Sequence, residues 1–190
     1  DDGAVYPSEG LELPIYLFGR IDPDLGESLV NSVQDFIDSF GDEIGKKPFV
    51  SLRNAPLPRE IQGNKPQFVF LRKLEELGGA ISLGVTDLGL YDAGVSRNVF
   101  GYGSDGIAIL STFRFKRETA DKRHFHQRLG KEIVKLLAMA CDLPRCQDPA
   151  CVVVYHRTME DVDRNRYVCD TCRTKIAGVL KHHYENHEKI

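Results

Sequence analysis

No cysteine occurs in the first 140 residues of this 190-residue chain, and all five then fall together: Cys141, Cys146, Cys151, Cys169 and Cys172. An odd, clustered set is a poor disulfide framework, because pairing leaves one thiol over and most of the chain unstapled; such clustering suits metal ligation. Cys146 and Cys151 are separated by four residues, including Asp148 and Pro149, and Cys169 and Cys172 form a CxxC. Two such pairs divided by a loop match the ligand spacing of a tetrahedral four-cysteine zinc site. Thiolate–zinc bonds contribute folding free energy directly, which suits a tail with little apolar periodicity of its own. The plainer alternative is a set of reduced buried cysteines or a redox pair. Cys141 stands apart. It shares an apolar stripe with Phe125, Leu129, Ile133, Leu137 and Ala140 and reads as a small core hydrophobe.

Ahead of the cysteines the pattern is that of a packed sheet with helices. Residues 13 to 21, LPIYLFGRI, read as a buried strand, and residues 47 to 58, KPFVSLRNAPLP, as a second strand ended by prolines. Between them Leu29, Val30, Val33, Phe36, Ile37 and Phe40 recur at helical spacing up to Gly41. Residues 66 to 78 open on a proline, stop at a glycine and read as a helix. Residues 80 to 91 read as a strand, and residues 98 to 115 as two strands joined by the GSDG turn. One long helix follows from about Thr119, with that threonine as N-cap, and residues 173 to 188 form a last, polar helix. This order implies an α+β fold, a mixed α/β sheet packed on helices. We read it as a single domain over 1–190, with a sheet and helix core at 12–145 and a four-cysteine zinc segment with a C-terminal helix at 146–190.

The formal net charge of −3 gives no global reason to expect nucleic acid as a partner, yet residues 114 to 145 carry nine Lys/Arg against four Asp/Glu. The first residues, DDGAVYPSEGLELP, lack the basic start and apolar core of a secretion signal, and no apolar run reaches membrane-spanning length. The expectation is a cytoplasmic protein without a membrane partner.

Three stretches together, GVTDLGLYDAGVSRNVFGYGSDGIAILSTFRF (84 to 115), RLGKEIVKLLAMACDLPRC (128 to 146) and the distant CxxC, carry a family signature. They resemble an archaemetzincin, a branch of the metzincin zinc metallopeptidases, and the likeness runs from about Leu13 to Lys175. It implies a twisted mixed sheet packed on an active-site-type helix, plus a C-terminal zinc-bound segment. In that family an H-E-x-x-H-x-x-G-x-x-H motif runs directly into the first zinc cysteine. Carried onto this chain, its three histidines fall at Lys135, Met139 and Arg145, its general-base glutamate at Leu136 and its glycine at Asp142. The methionine expected two residues after the second cysteine falls at Val153. None of these matches, whereas Cys146, Cys151, Cys169 and Cys172 all do.

An ammonium, a thioether and a guanidinium cannot share a zinc ion in place of three imidazoles, and leucine cannot take a proton from water. The expectation is therefore one structural zinc ion, no catalytic zinc, and a cleft free to bind a peptide or protein. Strand addition along residues 96 to 104 needs only backbone groups, and Lys135 and Arg145 are positioned to hold a ligand carboxylate. Glu132, three residues before Lys135 on the margin of the apolar stripe, reads as half of a surface i, i+3 ion pair, the alternative being a carboxylate that faces a cleft. His124 and His126 lie two apart and face different ways on a helix. His156, or His183 with His187 at i, i+4 spacing, offers a second metal site; exposed histidines on a polar helix are the simpler reading. Two other functions stay open. One is an active peptidase with unorthodox ligands; the other is a zinc-ribbon-like nucleic-acid or protein-binding module built from residues 146 to 190, which lacks an aromatic stacking platform.

Overall fold

The computed structural model describes residues 11–61, 66–91 and 98–185. The strands are β1 (Glu12–Phe18), β2 (Phe49–Ala55), β3 (Ser82–Thr86), β4 (Leu90–Tyr91), β5 (Asn98–Val99), β6 (Gly101–Ser104) and β7 (Ile107–Ser111). The helices are α1 (Pro23–Asp38), α2 (Pro66–Leu77), α3 (Phe113–Glu118), α4 (Lys122–Ala140), α5 (Met159–Arg164) and α6 (Asp170–Glu185). Five strands form one mixed sheet in the order β2-β1-β3-β7-β6; β2, β1, β3 and β7 are parallel and the edge strand β6 is antiparallel. β4 and β5 pair separately as a short ribbon.

Both sheet faces are covered, which explains why β1 is apolar at nearly every position. Leu13, Ile15 and Leu17 join Leu83, Val85 and Leu110 in the core shared with α1, α4 and α6. Tyr16, Phe18 and Ile109 point the other way and pack on Phe70 and Leu74 of α2. α1 and α4 lie side by side, so close that a Cβ at Gly130 would sit 2.8 Å from Ser32 Oγ.

Several expected boundaries move. α4 begins at Lys122, capped by Asp121, whose carboxylate accepts the His124 N–H at 2.7 Å; Thr119 instead ends α3. Asp wins the cap because its short carboxylate reaches an unpaired N–H of the first turn. Residues 113 to 115 are helical, since Thr112, which donates its own N–H to Thr86, ends the ladder there. The stretch 80 to 91 divides into β3 and β4, and 98 to 104 into β5 and β6. α5, absent from the sequence reading, is fixed by a capping box between Thr158 and Asp161. The last helix is not polar all round: Cys172, Ile176, Ala177, Leu180 and Tyr184 are buried in the main core. The cysteine segment is thus part of the same apolar body.

The end of α4 directs the chain into the cysteine segment. Asp142 adopts φ +57°, a left-handed conformation, with Leu143 N–H donating to Ala138 O at 3.0 Å and Asp142 N–H to Met139 O at 2.9 Å. This is a Schellman closure, where glycine is the usual occupant, and position 142 is the one at which the resemblance expects glycine. The Asp142 carboxylate compensates by accepting the Asp105 N–H of the β6–β7 turn at 2.8 Å. Asp142→Ala, which keeps the strained backbone and loses that bond, should lower unfolding free energy by about 1–2 kcal/mol, whereas Asp142→Gly should stay within roughly 0.5 kcal/mol of the parent in urea titrations.

Candidate functional site

The edge strand β6, the helix α4 and residues 153 to 157 enclose a cavity of about 570 Å³. β6 comes down on α4 at Gly101 and fits against β7 at Gly103 because both residues lack side chains. A Cβ at Gly101 would lie 2.7 Å from Leu136 Cδ2 and 2.8 Å from Ile109 O, and one at Gly103 would lie 2.5 Å from Ala108 Cβ. Leu136, fully buried, is therefore the floor on which the strand rests. Lys135, Met139 and Arg145 line the cavity from the helix and the turn after it, and Val153 lines it from the opposite wall.

Glu132 corrects the sequence reading. The i, i+3 pair with Lys135 exists, at 3.3 Å, but it is inside the protein: Glu132 is 1% exposed and Lys135 7%. The helix face expected to meet solvent is covered by the returning chain, which places His156 against it. His156 Nδ1 donates to Glu132 Oε2 at 2.7 Å, and its Nε2 meets Asn165 Oδ1. Asn165 is oriented by its own Nδ2, which donates to Pro149 O at 2.9 Å. Both ring nitrogens of His156 are thus engaged within the protein. Burial would raise the Glu132 carboxyl, but the Lys135 charge and the His156 hydrogen bond and charge outweigh it and hold the carboxyl below the usual carboxylate range.

The remaining sequence-derived positions separate cleanly. Arg145 is exposed at the rim, its guanidinium 4.2 Å from the centroid of the Tyr155 ring, on which Arg157 and Lys135 also converge at 5.6 and 5.8 Å. His124 bonds Asp163 at 3.1 Å, beside the two-pronged Arg128–Asp163 pair at 2.8 and 2.6 Å that ties α4 to α5. His182 and His183 lie side by side in the last turn of α6. His187 and residues 96–97 fall outside the described residues. The sequence reading missed Tyr155, Arg157 and Asn165; the one available signal was their closeness in the chain to the second cysteine.

Cys146, Cys151, Cys169 and Cys172 converge, all four sulfurs lying within 4.8 Å of one another, and among the described residues no other group of metal-binding side chains does so. A tetrahedral zinc with bonds of about 2.3 Å separates its sulfurs by roughly 3.8 Å, so the donor set fits the ion. Backbone N–H groups of Asp148, Val153 and Cys169 already point at the Cys146 and Cys151 sulfurs, at 3.3–3.4 Å. Burial pushes the Cys151 thiol up to about 11, so a cation is what stabilises its thiolate. Cys141, buried at the end of α4, is held away from the cluster in the apolar core.

A mixed sheet whose edge strand overhangs a long buried helix, with the chain leaving that helix through a left-handed turn into a cysteine-held wall, is the architecture of a metzincin-type protein. No family model matches the chain. Over 176 residues it is 28% identical to the archaemetzincin of Thermococcus kodakarensis, covering 82% of this chain and 91% of that protein. It superposes on the crystal structure of archaemetzincin from Methanopyrus kandleri with a TM-score of 0.72 at 24% identity, covering 93% of this chain and 99% of that one. A zinc-dependent peptidase from Methanocorpusculum labreanum superposes at TM-score 0.67 and 21% identity, covering 86% and 99%. The chain belongs to the archaemetzincin family.

Because the fold lowers the Glu132 pKa, its contribution to stability is complete above the unfolded value of about 4.3 and is lost as pH falls through the folded one. Glu132→Gln should therefore cost about 3 kcal/mol at pH 7, and its difference from the parent should shrink below pH ~4 when urea unfolding is followed against pH.

Proposed function

We propose that this archaemetzincin is proteolytically silent: it keeps one structural zinc on Cys146, Cys151, Cys169 and Cys172 and uses its cleft to bind a peptide or protein. One observation carries the reading. The residues facing the place a catalytic metal would need hold one another, with the Lys135 ammonium closed onto the Glu132 carboxylate and that carboxylate onto His156. An ion pair buried in this way resists being opened, because removing either partner strands a charge out of water. Leu136, under β6, has no group that can accept a proton from water.

Binding needs none of that chemistry. β6 is the sheet edge, and its Gly101 and Gly103 line the cavity, so an extended peptide can add to it through main-chain hydrogen bonds. Arg145 at the rim then meets a ligand carboxylate directly, and Lys135 contributes its charge from beneath. The reading of an active enzyme with unorthodox ligands is disfavoured by the same buried pair. The zinc-ribbon-like module is disfavoured by α6, whose apolar face belongs to the main core. Among the described residues no helix is long and apolar enough to cross a membrane.

Elemental analysis of the purified protein should return close to one zinc per chain, and a quenched-fluorescence peptide library should not be cleaved above the rate of a Glu132→Gln control. A strong chelator should strip that zinc and lower the melting temperature, since the metal bonds hold the wall of the cleft. Two tightly bound zinc ions with chelator-sensitive peptide cleavage would overturn the proposal.

A further inference from the structure

The cavity is lined by Arg114, Lys135, Arg145 and Arg157 against Glu132 and Asp142, in a chain whose formal net charge is −3. Most of these charges are answered within the protein. Arg114 is paired with Glu118 at 2.7 Å, Lys135 with Glu132, and the Asp142 carboxylate is turned to the Asp105 N–H. Arg145 and Arg157 differ: among the described residues neither guanidinium has a carboxylate within ion-pair distance, and both are exposed. They are nevertheless held in one place. Both gather on the Tyr155 ring, at 4.2 and 5.6 Å, and the ring itself is 37% exposed at the cavity wall. Two cations that share one aromatic ring as partner repel each other, and a bound anion relieves that repulsion.

Building on the peptide-binding reading, we infer that the cleft selects ligands by a carboxylate, received between Arg145 and Arg157 with Tyr155 fixing the two planes. Guanidinium groups match carboxylates through paired N–H donors, and stacking on the ring removes much of the rotamer freedom that exposed arginines otherwise lose on binding. The strand-adding edge and the arginine pair share the cavity, so a peptide laid along β6 brings either its terminal carboxylate or an acidic side chain to them. Both sources offer the same chemistry.

The test uses the zinc-loaded chain, its Arg145→Gln/Arg157→Gln double variant and its Tyr155→Leu variant. Exposed side chains of this kind tolerate substitution with little loss of stability, and far-ultraviolet circular dichroism checks that each variant folds. The probes are succinate and N-acetylated Ala-Ala-Val-Ala-Glu, each followed by nuclear magnetic resonance of the Gly101, Gly103 and Tyr155 amides at constant ionic strength. The peptide is used as free acid, as C-terminal amide, and with Gln in place of Glu.

Succinate should shift those amides in the parent and not in the double variant. The free-acid peptide should bind roughly tenfold more tightly than whichever neutralised form lacks the recognised carboxylate, which identifies the source. The double variant should lose that preference, and Tyr155→Leu should weaken it. If all three peptides bind equally, or the double variant keeps the preference, the carboxylate inference fails while peptide binding stands. If succinate binds in the arginine-dependent way and no peptide does, the carboxylate site stands and the peptide reading fails. Absence of any binding overturns both.

Discussion

The buried carboxylate of Glu132 is the constraint on which the cleft depends. It lies on a helix covered on several sides, where an ionised group is stable only with opposite charge and hydrogen bonds on every side. Lys135 supplies one partner from the next turn of the same helix, and His156 supplies the other from a segment that must be brought back across the chain. His156 in turn fixes Asn165, and Asn165 fixes the carbonyl of Pro149 between the first two cysteines. The polar network therefore runs from the buried pair on α4 to the loop between Cys146 and Cys151. Disturbing the wall exposes the carboxylate, and disturbing the carboxylate frees the wall.

The cysteines and the core share that work. Cys151 and Cys172 are buried among the apolar side chains of α4 and α6, so the cluster that could hold zinc is embedded in the body it braces. This placement helps explain why the segment between 146 and 170, with little regular secondary structure, keeps one path: its two ends are anchored by sulfur and its middle by the Arg128–Asp163 pair and the capping box of α5. Arg128 holds the Asp163 carboxyl below its ordinary range, a sign that the fold favours the charged form of that link.

Local patterns made the fold and the cysteine site legible, and long-range contacts hid the rest. The β1 apolar run, the stripe through Leu129, Ile133 and Leu137, and the two cysteine pairs each lie within a short window whose spacing has a physical meaning. Glu132 could not be read in this way. Three residues before a lysine on a helix, it fits a solvated pair, and its burial comes from His156, 24 residues further on. Arg157 and Tyr155 escaped notice for the same reason: their meeting with Arg145 is made by the turn at Asp142 and the return through the cysteines, and neither is a periodic feature. The polar character given to α6 failed because the buried residues form a narrow stripe, diluted by the charged residues around it.

The archaemetzincin frame and the buried pair bear on each other. A lysine on α4 at position 135 is nearly buried at the cavity wall, where an ammonium with no acid beside it would be costly. Glu132 resolves that conflict, and His156 then answers the second oxygen of the carboxylate. The three positions form one connected unit, so Lys135→His alone would leave Glu132 buried with half its partners and Leu136 still under β6. Lys135, Glu132 and His156 are thus a coupled unit that joins the helix to the wall and is stabilised by its own hydrogen bonds. What stays exposed beside that closed unit is the rim, with Arg145, Tyr155 and Arg157, next to the edge strand β6.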